Sequence, residues 1–167
     1  MRTTALNRLF LLFFLCVAVN SSHAAMVSII IIETGPTKNT FSGVTDLWES
    51  GIMDVLFEAG HIVSNSPAIY ISKIGNEDPP AEVAQAFKDA GSGGVDYFII
   101  AQLYYSKTEE PVSPKPEQIA LKLYKLRPLN VLYSTEYTND SNTPVIEEFS
   151  NAKKAARILI PYIREYR

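Results

Sequence analysis

The chain has 167 residues, a formal charge of −3, two histidines and one cysteine. An acidic balance argues against nucleic acid as the main partner, which selects for a basic surface. The length suits a single domain with its own core.

The amino terminus has the three parts of an export signal. Arg2 and Arg8 supply a positive start, residues 9–19 form an unbroken apolar run, and residues 20–25 end in small side chains. Ser22 and Ala24 satisfy the small-residue requirement for cleavage after Ala24, with Ala25 as the alternative. The apolar run is well short of the roughly 20 residues that a membrane span needs. We therefore expect residues 1–24 to be a cleavable signal peptide, residues 25–167 to be one domain, and no stable membrane anchor to remain after cleavage. Cys16 lies inside the apolar run, between Leu15 and Val17, and does not suit a lipid-attachment site. Once the leader is gone, no cysteine is left for a disulfide, a thiolate metal site or a nucleophile. The charge of the remainder is then −5, because Arg2 and Arg8 leave with the leader.

Residues 27–32 are a nearly continuous β-branched run bounded by Gly35-Pro36, which predicts a strand buried on both faces. The period then changes. Val44, Trp48, Ile52, Val55, Leu56 and Ala59 recur at helical spacing, so a helix is predicted over 40–59, closed by a left-handed Gly60. Residues 61–64 suit a short strand, whereas 66–74 fit a helix start or a strand equally. A second helix follows, with Asp78 as its cap, Pro79 in its first turn, Val83, Ala84 and Phe87 on its apolar face and Gly91 at its end. Residues 95–103 predict another buried strand.

Residues 107–117 hold three prolines among charges and predict an exposed loop. Two alternating segments come next. Ile119, Leu121 and Leu123 share one face, then Val131, Tyr133, Thr135 and Tyr137 share another, with residues 127–130 between them as the turn of an antiparallel hairpin. Thr143-Pro144 opens the last helix, whose apolar side is Val145, Phe149, Ala152, Ala156, Leu159 and Ile163 and which contains Pro161. The order predicts an α/β fold: one mixed sheet of about five strands packed against three helices, with a late hairpin and a closing helix.

Reactive groups are sparse. His61 is the only histidine beyond the leader, so paired-histidine metal motifs are absent, and its place after a helix end suits capping or the surface. Gly91-Ser92-Gly93-Gly94 leads from a helix into a strand, the reverse of the order that aims backbone N–H groups at a phosphate. Asp46, Glu49, Asp54 and Glu58 fall on a predicted solvent face. Glu147 and Glu148 fall in the first turn of the last helix, where negative charge complements its dipole. No metal, cofactor or catalytic residue is expected. Tyr97, Tyr104, Tyr105, Tyr124, Tyr133 and Tyr137 concentrate on the last three strands. They suit either a protein-contact surface or cross-strand pairing on a half-exposed sheet.

Several of these segments carry a family resemblance. Residues 55–63, a helix end, a glycine and a short strand, resemble a group of bacterial envelope proteins. The group comprises the curli-assembly CsgG-like domain, the LpoB-type activators of penicillin-binding proteins and the TolB amino-terminal domain. Residues 94–103 resemble their Gly-Ala-Asp-Tyr segment and strand, and residues 119–134 are similar to their late hairpin. The resemblance implies a compact envelope domain that acts through protein contacts. Members are often lipoproteins, and this chain has no cysteine beyond the leader to acylate. Its one long insertion is too charged and proline-rich to form a lipid-facing strand pair. The reading is thus an exported periplasmic accessory or adaptor protein with an envelope protein as partner. The alternatives are a small secreted hydrolase using carboxylates at the strand ends, or a small-ligand binding protein.

Overall fold

The computed structural model describes residues 24–35, 42–72, 80–105, 115–139 and 144–164. Nine elements follow in order among the described residues: β1 Met26–Thr34, α1 Ser42–Glu58, β2 Ile62–Asn65, β3 Ile69–Ile71, α2 Ala81–Ser92, β4 Tyr97–Tyr104, β5 Gln118–Leu126, β6 Leu129–Thr138 and α3 Glu147–Arg164. The strands form one mixed sheet in the order β2-β1-β4-β5-β6. β3 also pairs with β1, further along the same edge that β2 occupies. The sixth strand comes from the segment whose sequence fitted two states.

β1 is the centre of the parallel half. Val27, Ile29 and Ile31 point to one core while Ile30 and Ile32 point to a second, smaller core on the opposite face. A strand buried on both sides needs apolar residues at every step, which its isoleucine run supplies. β4 runs parallel to β1 and does the same with Ile99 and Leu103 against Phe98 and Ile100. The hairpin β5–β6 then continues the sheet antiparallel.

α1 and α3 cover one face and α2 alone covers the other. Gly51 sets the crossing of α1 and α3. A Cβ there would lie 2.7 Å from Ala152 Cβ and 2.8 Å from the Phe149 carbonyl oxygen. Ala152, Ala155 and Ala156 make the α3 face equally shallow, so the two backbones approach closely. At the rim of the crossing, Lys153 of α3 pairs with Asp54 and, at 3.1 Å, with Glu58 of α1. Those two carboxylates therefore serve a contact between helices rather than a purely solvent face.

Both α1 and α2 end in the same way. Gly60 and Gly94 adopt φ of +84°. The following N–H groups, of His61 and Val95, bond back to Leu56 and Ala90 at 3.0 Å each. This is the left-handed closure that favours glycine. For α2 it falls at Gly94, three residues after the expected Gly91. The start of α2 differs as well: its N-cap is Pro80 instead of Asp78, and no side chain caps it. A proline disfavours helical geometry at the residue before it, so Pro80 keeps the helix from beginning sooner. Asp78 and Pro79 lie outside the described residues.

Two further expectations are corrected. Residues 107–117 were read as an exposed loop; residues 107–114 lie outside the described residues, and Lys115 and Pro116 are buried. The Glu117 N–H donates to the Tyr104 carbonyl at 2.8 Å, so the β4–β5 ladder draws this end of the loop onto the sheet. In β6 the alternation breaks between Leu123 and Tyr124, where Tyr133 and Val131 become successive partners and Leu132 is left over. That bulge turns Val131 to the α2 face, where it is exposed, and Leu132 packs against the main core. Among the described residues no helix is long and apolar enough to cross a membrane.

The Gly51 contact gives a direct test. Gly51→Ala forces two helix backbones apart and is expected to cost about 1–3 kcal/mol. Gly43→Ala, in the same helix with nothing within 4 Å of the new Cβ, is expected to be neutral or to stabilise by up to ~1 kcal/mol. Urea denaturation of both variants checks the contrast; equal effects would remove Gly51 from its role.

Candidate functional site

The carboxyl end of the parallel strands is where open α/β sheets commonly place ligands. Here it holds a closed polar cluster. Glu33 ends β1 and accepts a short hydrogen bond from the Thr45 hydroxyl of α1. Glu148, in the first turn of α3, is 0% exposed. One of its oxygens accepts from Trp48 Nε1 at 2.8 Å and the other from Asn139 Nδ2 at 2.9 Å. Tyr137 of β6 tilts against the Trp48 ring, with centroids 6.3 Å apart. Burial, reinforced by Glu33 and Glu148, pushes the Tyr105 hydroxyl well above the usual tyrosine range. Burial and Glu148 do the same to Tyr137.

Glu33 and Glu148 are the groups that a hydrolase at the strand ends would use. Both carboxylates are buried and neither lines the two clefts described below. In this arrangement they act as hydrogen-bond acceptors that join α1 to β1, α3 and the end of β6. The sequence reading placed Glu148 at the helix dipole and missed its burial. The signal was present in the spacing: counting back in helical turns from Leu159, Ala156 and Ala152 reaches residue 148. His61 is likewise buried, not on the surface. Its Nδ1 faces the Ala25 backbone N–H at 3.4 Å, beside the base of β1.

The six tyrosines do not share one face. Tyr97 and Tyr105 belong to the main core and are unavailable to a partner; alternation along β4 turns them inward with Ile99 and Leu103. Tyr133 and Tyr137 pack partly against the same core, Tyr133 within 5.0 Å of the Tyr162 ring of α3. Tyr124 points to the other face, where it meets the Phe87 edge at 5.0 Å. Tyr104, also on β4, is half-buried.

A different surface includes one of them, Tyr137. β6 is the last strand of the sheet, ten residues long, with Glu136 as its single charge and no proline or lysine. Edges of this length are usually blunted by such residues. The opposite edge is made of β2 and β3, four and three residues long. Between β6 and α3 runs a groove of about 540 Å³, lined by Thr135, Tyr137 and Thr138 on the strand side and by Asn151, Lys154 and Ile158 on the helix side. Ile158 is 49% exposed there, and Tyr162 one turn on is 38% exposed. The sequence reading had treated the hairpin as half-exposed without identifying its outer strand as the edge.

No protein-family model and no curated protein matches the chain. Its fold is similar to that of PelC from Paraburkholderia phytofirmans, solved as a dodecamer, at 17% identity over 84% of this chain and 90% of that one, TM-score 0.47. It is similar to TolB from Acinetobacter baumannii at 13% identity, TM-score 0.43, covering 84% of this chain and 29% of TolB. It is also similar to the lipoprotein GNA1162 from Neisseria meningitidis at 17% identity over 83% of this chain and 99% of that one, TM-score 0.41. The likeness is one of chain path, and no activity or partner follows from it.

The polar cluster yields two tests. Glu148→Gln keeps the shape but turns an amide N–H₂ toward a donor, and is expected to cost about 1–3 kcal/mol. Glu147→Gln, on the exposed side, is expected to stay within about 0.5 kcal/mol of the parent. Chemical denaturation separates them. The second test concerns alkali. Tyr105 and Tyr137 keep their protons to a higher pH when folded than when unfolded, so their contribution is whole below a pH of about 10 and is lost as pH rises beyond it. Urea midpoints of the double variant Tyr105→Phe, Tyr137→Phe are expected to fall less steeply between pH 9 and 11 than those of the parent. Since the Tyr137 hydroxyl has no hydrogen-bond partner among the described residues, Tyr137→Phe alone is expected to cost nothing at pH 7.

Proposed function

We propose that this is an exported accessory protein of a bacterial envelope that works by holding a partner protein and carries out no catalysis of its own. The observation that carries this reading is the unblunted β6 edge beside a groove that exposes Tyr137 and Ile158 among threonine and asparagine side chains. A free strand edge offers a row of backbone donors and acceptors to an extended segment, and a flanking groove takes its alternate side chains. The leader of residues 1–24 supports export. The absence of a cysteine after it supports a form without a lipid anchor. The buried state of Glu33 and Glu148 supports contacts over chemistry.

The β6–α3 face is where the partner is expected. A photo-reactive amino acid at residue 135 or 158, introduced in the native host, should give an adduct with one envelope protein. The same label at Phe57, exposed on α1, should not. Ile158→Asp combined with Thr135→Lys is expected to lower partner capture by about 30-fold or more, the loss typical of an interface centre, with an unchanged melting temperature. Adducts of equal yield from residue 57, or capture untouched by the double variant, would defeat the reading.

A further inference from the structure

The face of the sheet covered by α2 holds a second, larger cleft. Phe87 anchors α2 over β4 and β5, stacking on Phe98 at 4.3 Å and meeting Tyr124 edge-on. The β1–β2 side of that face is thereby left beneath the flank of the helix. The space between is a cleft of about 890 Å³, inside the range of ligand-binding pockets. Its apolar floor includes Ile30, Ile69, Ala86 and Ala90.

The charged groups among its described lining residues are both acidic. Glu82 and Asp89 lie two helical turns apart on the α2 side, and among the described residues no lysine, arginine or histidine lines the cleft. Among the described residues neither carboxylate is in an ion pair; Asp89 accepts from Gln85 of its own helix at 2.7 Å. Ser28 lies in the floor, 4% exposed, and makes no side-chain hydrogen bond among the described residues. Its register partner on β2, Ser64, opens onto the same cleft. A serine followed by four isoleucines, more than nine-tenths buried and without a side-chain partner among the described residues, directs a donor and an acceptor into the space.

We propose that this cleft binds a basic peptide segment, with apolar side chains on the floor of Ile30, Ala86 and Ala90, its backbone met by Ser28 and Ser64, and lysine or arginine side chains against Glu82 and Asp89. The occupant is cationic because the charged groups on the described part of the rim, Glu82 and Asp89, are negative. It is a peptide because the floor asks for apolar groups and the two serines for amide partners along the same chain. The site is separate from the β6–α3 groove and stands or falls independently of it.

The test is fluorescence anisotropy on protein recovered from the periplasm, with labelled ten-residue peptides. One alternates leucine and lysine, one replaces lysine by glutamate, and one replaces leucine by serine; spermine is added as a competitor. The leucine–lysine peptide is expected to bind at least tenfold more tightly than the other two, and spermine should displace it only weakly. Glu82→Gln with Asp89→Asn should weaken it at least fivefold, and Gln85→Trp, at an exposed position that fills the mouth, should do the same. Asp46→Asn with Glu147→Gln removes equal charge elsewhere and should leave affinity unchanged, as should Ile158→Asp. The proposal is overturned if no peptide binds or if the glutamate peptide binds equally. It is also overturned if spermine competes as well as the peptide itself, or if the two charge-neutralising pairs have the same effect.

Discussion

The fold turns on burying β1 from both sides. Its isoleucines leave no face for solvent, so the strand must have helices above and below and strands on each edge. Each later element meets one part of that demand. α1 returns the chain to lay β2 and then β3 along one edge, and α2 returns it to lay β4 along the other. The hairpin then shields the far side of β4, and α3 closes against α1 where Gly51 permits a close approach.

Covering a sheet this wide is a problem of dimensions. Five strands cover roughly 24 Å when half a strand spacing is counted beyond each outer one, while a helix with its side chains is about 10–12 Å across. The pair α1 and α3 nearly suffices for one face, and their shortfall is the groove at β6. A lone α2 cannot suffice for the other, and its shortfall is the cleft over β1. Both candidate sites are thus places where the helices end before the sheet does. Their characters differ because different elements form the rims: Lys154 and Ile158 at the groove, Glu82 and Asp89 at the cleft.

Much of the architecture was legible from period and punctuation. The isoleucine run, the Trp48 face of α1, the left-handed Gly60 and the alternating hairpin each follow from local rules that tertiary packing reinforced. What escaped was mostly a matter of neighbours. Tyr97 and Tyr105 look like surface tyrosines until β4 is placed between β1 and β5. Leu132 shifts the face of Val131 through a bulge that no alternation rule marks. Glu148 reads as a dipole residue until the only tryptophan of the chain is found opposite it.

That last pairing shows how the closed end and the open edges are related. A fully buried carboxylate is tolerable only when each oxygen has a donor, and Glu148 has Trp48 for one and Asn139 for the other. Trp48 comes from the first helix and Asn139 follows the last strand, so the bond network ties together segments a hundred residues apart in the chain. It fixes the first turn of α3 against the end of β6, and further along α3 Ile158 lines the groove. Glu33 and Glu148 are thereby committed to hydrogen bonds that hold α1 and α3 in place. Away from that end, Ile158 at the groove and Glu82 and Asp89 at the cleft remain exposed.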